Sequence, residues 1–438
     1  MLKKFKQHLH QNFPFLEDGK LLIAISGGID SVVLAHLCSQ LNLNFSLCHC
    51  NFNLRGQESN DDEAYVKDLA KNLQVPVYTS SFETEKYATK NKVSIQVAAR
   101  DLRYAWFYEL LENKQYDYVL TAHNTNDNLE TFIINLTRGS GLEGFTGIPP
   151  INNKAVRPLL AFSRDEITLF AIKNEIDWRE DKSNASIKYI RNKVRHKVIP
   201  ILQEINPHVL ESFQNTLEYL NESQSIINDA TKNISQKIVS YEHNLLTLNC
   251  KKLNELPNKK AYLYQLLHTY GFTAWNDVVD LVSGQPGKQV FSKTHRLLKD
   301  RNFLILTTNN QNLTEKGPFL IKETSAEISH PIKLTILNTA DSTPENKHQI
   351  IINKDLVTYP LSLKKWRHGD AMHPTGMTGS KKISQLFKDK KLSLLDKEKI
   401  WLLADAKDRI IWVIGLRQDR RFTADKTATN RLKISFIS

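Results

Sequence analysis

Short apolar runs alternate with longer amphipathic stretches over the first third of the chain. Leu21 to Ile25, Phe45 to Cys50, Val75 to Thr79 and Tyr118 to Ala122 have the length and the β-branched or aromatic content of strands. Ser31 to Leu41, Asn60 to Leu73 and Ser94 to Glu112 lie between them with helical apolar spacing, each long enough to cross over a sheet. This alternation predicts an α/β domain built on a parallel sheet, in which ligands bind at the carboxyl ends of the strands. Ser163-Arg164-Asp165-Glu166 has the form of a capping box. Asn206-Pro207 places an N-cap residue before a proline, and helical periodicity then runs to about Lys237. From about 245 to 310 the pattern mixes helices with a β-hairpin over Gln289 to Thr308, and Ser325 to Pro331 reads as a linker. A last module carries β-type runs at Ile410 to Leu416 and Leu432 to Ile437, predicting a small α+β domain. The boundaries expected are residues 1–205, 206–325 and 330–438.

Composition changes this picture little. The 438 residues suit two or three domains, and 41% hydrophobic with 24% charged residues is ordinary globular composition. Lys plus Arg is 59 against 47 for Asp plus Glu, and the resulting net charge of +12 favours a polyanionic partner such as nucleic acid. Cys38, Cys48, Cys50 and Cys250 form no Cys-x-x-Cys pair, so neither structural zinc nor an iron–sulfur cluster is expected. The basic start lacks the apolar run of a signal peptide, and no stretch is long and apolar enough to span a bilayer; the expectation is a cytoplasmic protein with no membrane partner.

The candidate chemistry begins where the first strand enters Ser26-Gly27-Gly28-Ile29-Asp30-Ser31 and then the apolar helix Val32-Val33-Leu34-Ala35. Two glycines let backbone approach an anion, the helix start offers free N–H groups, and Ser26 and Ser31 add hydroxyls. The loop has no Gly-Lys-Ser/Thr ending, so it carries no phosphate lysine of its own. It resembles the PP-loop of the N-type ATP pyrophosphatases, whose Ser-Gly-Gly-x-Asp-Ser signature it matches in full. That resemblance implies that the loop grips the β and γ phosphates of ATP and that Asp30 helps place Mg2+.

Three further segments fall at predicted strand or helix ends. His49, Asn51 and Arg55 lie in Cys48-His49-Cys50-Asn51-Phe52-Asn53-Leu54-Arg55-Gly56 after the second strand. His123 follows the fourth strand, and Asp127 and Glu130 share one helical face at i and i+3, where two carboxylates suit a magnesium ion as well as a helix dipole. Arg138-Gly139-Ser140-Gly141 forms a donor-rich loop, suited to a phosphate or a base or simply to a glycine cap. Residues 188 to 197 then gather five basic side chains, Arg191 and Arg195 among them, with no acid. In this order the segments resemble the tRNA(Ile)-lysidine synthase family, with its His-x-Asn-His-x-Leu-Arg-Gly, His-His-x-Asp-Asp-Gln-x-Glu-Thr, Arg-Gly-Ser-Gly and Arg-Asn-x-x-Arg-His patterns. Arg100, Arg103 and Tyr104 match Ala-Arg-x-x-Arg-Tyr, Arg157 opens Arg-Pro-Leu-Leu, and Arg367 to Lys382 resembles the family's C-terminal domain.

Four residues depart from these patterns. Phe52 and Asn124 replace second histidines, and Asn126 and Asn128 replace an aspartate and a glutamine, leaving His49, His123, Asp127 and Glu130 as candidates. The resemblance implies ATP-dependent adenylation of the wobble cytidine of CAU-anticodon tRNA(Ile) at its C2 oxygen, followed by attack of L-lysine and loss of AMP. It points to Asp30, His123, Asp127, Glu130 and Arg191 as catalytic, with Asp30 and Asp127 as metal ligands. Ser26 to Ser31 with His49, Asn51 and Arg55 fall to the nucleotide; Arg100, Arg103, Arg138, Gly139, Ser140, Gly141, Arg195, Lys381 and Lys382 fall to tRNA. A homodimer is compatible with this reading. The alternatives are a PP-loop tRNA thiolation enzyme, which usually wants cysteine pairs, and a non-catalytic tRNA-binding protein.

Overall fold

The structure is a computed structural model, and it describes all residues except 181–189, 243–244, 310–316, 342, 347, 426 and 438. Two compact units divide the chain, Met1–Asp229 and Ala230–Ser438.

In the first unit, α1 (Leu2–Asn12) precedes an alternating series: β1 (Leu21–Ala24), α2 (Ile29–Gln40), β2 (Phe45–Asn51), α3 (Gln57–Leu73), β3 (Val77–Ser81), α4 (Thr84–Asn91), α5 (Ile95–Asn113), β4 (Tyr118–Leu120) and α6 (Thr125–Thr137). Short α7 (Leu142–Phe145), β5 (Ile151–Asn152), β6 (Ala155–Val156) and α8 (Arg164–Lys173) follow. The sheet order is β3-β2-β1-β4-β6-β5, parallel except for the β5–β6 edge. The expected α/β class holds, and the expected strands sit within two or three residues of the observed ones.

Both faces of this sheet are covered, which is why its strands read as continuous apolar runs. Leu21 and Ile23 point into one core with Phe5, Leu9, Val33 and Leu37, while Leu22 and Cys48 point into the other with Phe107 and Leu111. The chain leaves β1 in one direction and β4 in the other, so the crevice beyond their carboxyl ends is the switch point of the sheet. After α8, α9 (Ile190–Lys193) runs through a π-type turn, Val194–Val198, into α10 (Ile199–Ile205). Val194 and Ile199 pack with Leu129 and Ile134 of α6 and with Phe213 and Leu217 of the next helix, α11 (Val209–Ile238). This small apolar cluster sets the basic side chains of residues 191 and 195 against α6. The helix expected to start at Asn206-Pro207 begins at Val209 instead, because the Asn206 side chain accepts from His208 N–H in a local turn before it.

The second unit is built on antiparallel sheets. Strands Val239–Glu242, Leu245–Asn249, Gln289–Phe291, His295–Asp300 and Phe303–Thr308 form one, covered by Cys250–Asn254, Lys259–Leu267 and Trp275–Ser283. The hairpin expected over Gln289 to Thr308 is thus three strands of a five-stranded sheet, with a turn at Ser292 to Thr294 that the sequence reading merged into the run. A five-stranded and a four-stranded sheet share the core of the remainder, with Trp412, Leu363, Ile352 and Ile434 inside it. Glu327–Ile328, inside the segment read as a linker, is an edge strand paired with Lys333–Asn338. Its polar composition hid it.

Candidate active site at the switch point of the sheet

The Ser26–Ser31 loop leaves β1 and turns directly into α2, with Gly28 as N-cap. Ser31 Oγ donates to the Gly28 carbonyl at 2.9 Å and accepts from Ser26 N–H at 3.1 Å, and the two serine hydroxyls lie 3.2 Å apart. The loop is therefore pre-shaped by its own hydroxyls. Gly27 has φ +90, a conformation that side chains rarely adopt, and a Cβ there would meet the Tyr65 ring at 3.6 Å. His49 sits one strand over, buried, with Nδ1 2.9 Å from the Ile25 carbonyl, and burial lowers its pKa. Asn51 donates to Asn60 and Glu63 at 3.2 and 3.1 Å, holding the β2 end against α3.

At the end of β4, Asn124 caps α6. Its side chain accepts from Asp127 N–H at 3.0 Å, and Asp127 Oδ2 accepts from Asn124 N–H at 3.1 Å, which is a capping box. The same Asn124 amide donates to Asp30 Oδ1 at 3.0 Å, tying the two loops together. Asp30 also forms an ion pair with Arg164. Burial holds the Asp30 carboxyl above its ordinary range; Arg164 works against that rise, and the nearby Asp127 charge adds to it. Asp127 Oδ1 lies 3.3 Å from Arg195. Glu130, 0% exposed, receives Arg195 Nε at 2.6 Å and Nη2 at 3.2 Å. Arg191 Nε lies 3.0 Å from Glu130 without a well-aimed N–H, and its Nη2 donates to Thr131 at 2.7 Å. His123, half-buried beside Thr121 Oγ1 at 3.0 Å, has its pKa pushed down to about 4, first by loss of water around the ring and further by the Arg157, Arg191 and Arg103 charges, against the pull of Asp127.

Asp30, His123, Asp127, Glu130, Arg191 and Arg195 thus gather around the β1–β4 crevice. Arg55 stands at one rim, paired with Asp62 at 2.9 Å. Arg100 and Arg103 on α5 lie over aromatic rings, Tyr104 at 4.8 Å and Phe52 at 5.3 Å. Arg138 and Gly139 are exposed at the end of α6, Gly139 with φ +71, and Gly141 caps α7. Lys381 and Lys382 belong to the second unit, where Lys381 pairs with Asp389. Lys188 and Tyr189 of the basic segment lie outside the described residues. The sequence reading missed Arg164 as a partner of Asp30: its visible signal was the capping box, and nothing in local spacing links residues 30 and 164. It likewise missed Asp62 and Arg179, joined through an Nε–Oδ1 contact of 2.5 Å. All four cysteines are free, three of them buried and Cys50 half-buried.

Among the described residues, no group of three or more His, Cys, Asp or Glu side chains is arranged to hold a metal. Asp30 and Asp127, close enough for one charge to act on the other, still fit a hard cation that takes one or two carboxylates and draws its other ligands from water and phosphate. Also among the described residues, no helix is long and apolar enough to cross a membrane.

Residues 1–202 match the family model described as the PP-loop domain, residues 240–309 the TilS substrate binding domain, and residues 361–434 the TilS substrate C-terminal domain. Over 427 residues the chain is 37% identical to a tRNA(Ile)-lysidine synthase of Parabacteroides distasonis, covering 96% of each sequence. The chain belongs to the tRNA(Ile)-lysidine synthase family. A Bacteroides thetaiotaomicron member is 36% identical over 96% of this chain and 95% of its own, and a Bacillus subtilis member 28% identical over 95% and 94%. Family membership and the site's geometry agree: the ATP loop and the acidic–basic cluster face one crevice.

Proposed function

We propose that this protein is an ATP-dependent ligase that makes lysidine at the wobble cytidine of CAU-anticodon tRNA(Ile), switching its decoding from AUG to AUA. The observation that carries the reading is the link from Asp30 of the PP-loop through Asn124 to Asp127 and to the buried Glu130 with its half-buried partners Arg195 and Arg191. In the first step the cytidine C2 oxygen attacks the α-phosphorus of ATP and pyrophosphate leaves. In the second, the neutral ε-amine of lysine attacks C2, the C2–O bond breaks with AMP as leaving group, and the amine gives up a proton. Adenylation is required because a carbonyl oxygen is a poor leaving group until it carries a phosphoryl ester.

Ser26 to Ser31, with His49, Asn51 and Arg55, serve the nucleotide. Asp30 and Asp127 would hold Mg2+, which when bound neutralises charge on the departing pyrophosphate. Arg191 and Arg195 supply fixed positive charge for the phosphate in transfer, and Glu130 sets their orientation from beneath. His123 acts as a neutral imidazole, so its part is hydrogen bonding and not charge. Arg100, Arg103, the Arg138-Gly139-Ser140-Gly141 loop, Lys381 and Lys382 serve tRNA. The division of labour follows residues 1–205, 206–325 and 330–438 as catalytic, middle and C-terminal domains; a cytoplasmic location and a homodimer are consistent with this work.

The test is incubation of the protein with ATP, Mg2+, radiolabelled lysine and tRNA carrying CAU. Label at the anticodon base together with stoichiometric AMP is the expected result. ATP-dependent AMP release without lysine attachment would overturn the proposal.

A further inference from the structure

The PP-loop carries no lysine, yet it must meet a triphosphate. The positive charge has to come from outside the loop, and one segment is strapped onto it. Downstream of α8, Ile176 and Trp178 pack into the core, and the backbone N–H of Arg179 donates to the Gly27 carbonyl at 3.0 Å. Tyr65 Oη donates to the Asp177 carbonyl at 2.5 Å, and a Cβ built on Gly27 would lie 3.9 Å from the Arg179 Cβ. Gly27 is buried beneath this strap although it belongs to an anion loop. A free carbonyl there would repel phosphate; the Arg179 N–H occupies it.

The strap is fixed from α3. Asp62 and Tyr65 lie at i and i+3 on one face of that helix. Asp62 is 9% exposed, and its two carboxylate oxygens are divided between two arginines: Oδ1 takes Arg179 Nε at 2.5 Å, Oδ2 takes Arg55 Nη2 at 2.9 Å. Asp61, 3.9 Å from Arg179, is far more exposed, and solvent screens it. Asp62 is therefore the residue that brings together an arginine from the β2 end and an arginine from the strap. We propose that Asp62 is a positioning residue for ATP, holding the Arg55 and Arg179 guanidiniums at the rim of the PP-loop and the Asp177–Arg179 strap against Gly27. The inference rests on the reading of the loop as an ATP site. Asp62 touches no reacting atom; it acts through the two arginines.

The experiment measures binding of a non-hydrolysable ATP analogue to the full chain by titration calorimetry, and then steady-state lysine incorporation. Asp62→Asn keeps shape and removes charge, and it should weaken analogue binding and raise the KM for ATP about tenfold, with kcat and the KM values for lysine and tRNA within about twofold of wild type. Arg179→Ala should shift binding in the same direction, and the double variant should lose less than the two single losses summed in free energy, since both single variants break the Asp62–Arg179 contact while only Asp62→Asn also releases Arg55. A purely structural role would lower the thermal midpoint and the amount of active enzyme without this selective shift in KM. Analogue affinity within twofold of wild type in Asp62→Asn, or additive losses in the double variant, would overturn the proposal. Because binding is read without tRNA or lysine, a wild-type protein that binds the analogue but attaches no lysine would sink the functional reading and leave the positioning role to be judged on the titration alone.

Discussion

His123→Gln separates the electrostatics of the site from its chemistry. The imidazole is half-buried beside Thr121 and its folded-state pKa is about 4, whereas an exposed histidine in the unfolded chain titrates near ~6.5. Between those values the unfolded chain binds a proton that the folded chain refuses. The stability His123 contributes is thus fully present above pH ~6.5 and is lost progressively as pH falls toward the folded pKa. Each pH unit in that window is worth ~1.4 kcal/mol, so by pH 5 wild type should have lost about 2 kcal/mol that the glutamine variant keeps. Urea unfolding of both proteins at pH 8, 7, 6 and 5, followed through the transition of the first unit, reads this difference directly. A stability gap that stays constant from pH 8 to 5, or one that moves in favour of wild type on acidification, would refute the lowered pKa and the neutral imidazole. Lysine incorporation by wild type should show no inflection from His123 across the neutral range.

Asp30→Asn should abolish ATP cleavage while gaining stability relative to wild type as pH rises. The Asp30 pKa is raised by burial, so its contribution is greatest below the unfolded value of about 4 and falls as pH climbs through the folded one; thermal melts at pH 5 and 8 give the sign. Asn124→Ser keeps an N-cap hydroxyl but loses the amide that donates to Asp30, and Asn124→Ala loses both. The alanine variant alone should lose ~1 kcal/mol by denaturant melt, whereas both should lose turnover of ATP; equal stability in the two would refute the cap. Replacing Lys381 and Lys382 by alanine should weaken tRNA binding and flatten the dependence of log K on log salt by up to about two units, measured by filter binding from 50 to 200 mM salt; an unchanged slope would remove these lysines from the RNA surface.

The fold of the first unit was legible because its central strands are short buried apolar runs, as in Leu21 to Ala24, separated by segments of helix length such as Ile29 to Gln40. The second unit was less so. Glu327–Ile328 is a two-residue edge strand with an exposed glutamate, and nothing in its composition separates it from a linker. At the site, residues on one element were readable together, as with Asp127 and Glu130 at i and i+3, both reached by Arg195. Pairs such as Asp30 with Arg164, or Asp62 with Arg179, join elements more than a hundred residues apart, and local spacing holds no record of them.

The four departures from the family pattern show what a substitution at such a place has to preserve. Phe52 stacks on Phe82 at 5.8 Å and carries the Arg103 guanidinium over its ring at 5.3 Å, so an apolar ring here keeps a cationic side chain at the β2 end by cation–π attraction. Asn126 accepts from the Arg164 backbone N–H at 2.9 Å, and Asn128 accepts from Ile148 N–H at 2.7 Å beside Gly147, where a Cβ would meet the Asn128 Oδ1 at 2.5 Å. Neither is a spare ligand; each pins α6 to a neighbouring segment. Asn124 does most. One side-chain amide supplies an acceptor for the helix cap and a donor for Asp30, whereas a neutral imidazole ring has one donor and one acceptor nitrogen fixed on a rigid ring. The chain has therefore exchanged ring nitrogens for an amide at the point where the PP-loop and α6 meet. In this chain the amide connects Asp30 with Asp127, and that connection, more than any single side chain in the pattern, is what places the two carboxylates in one crevice.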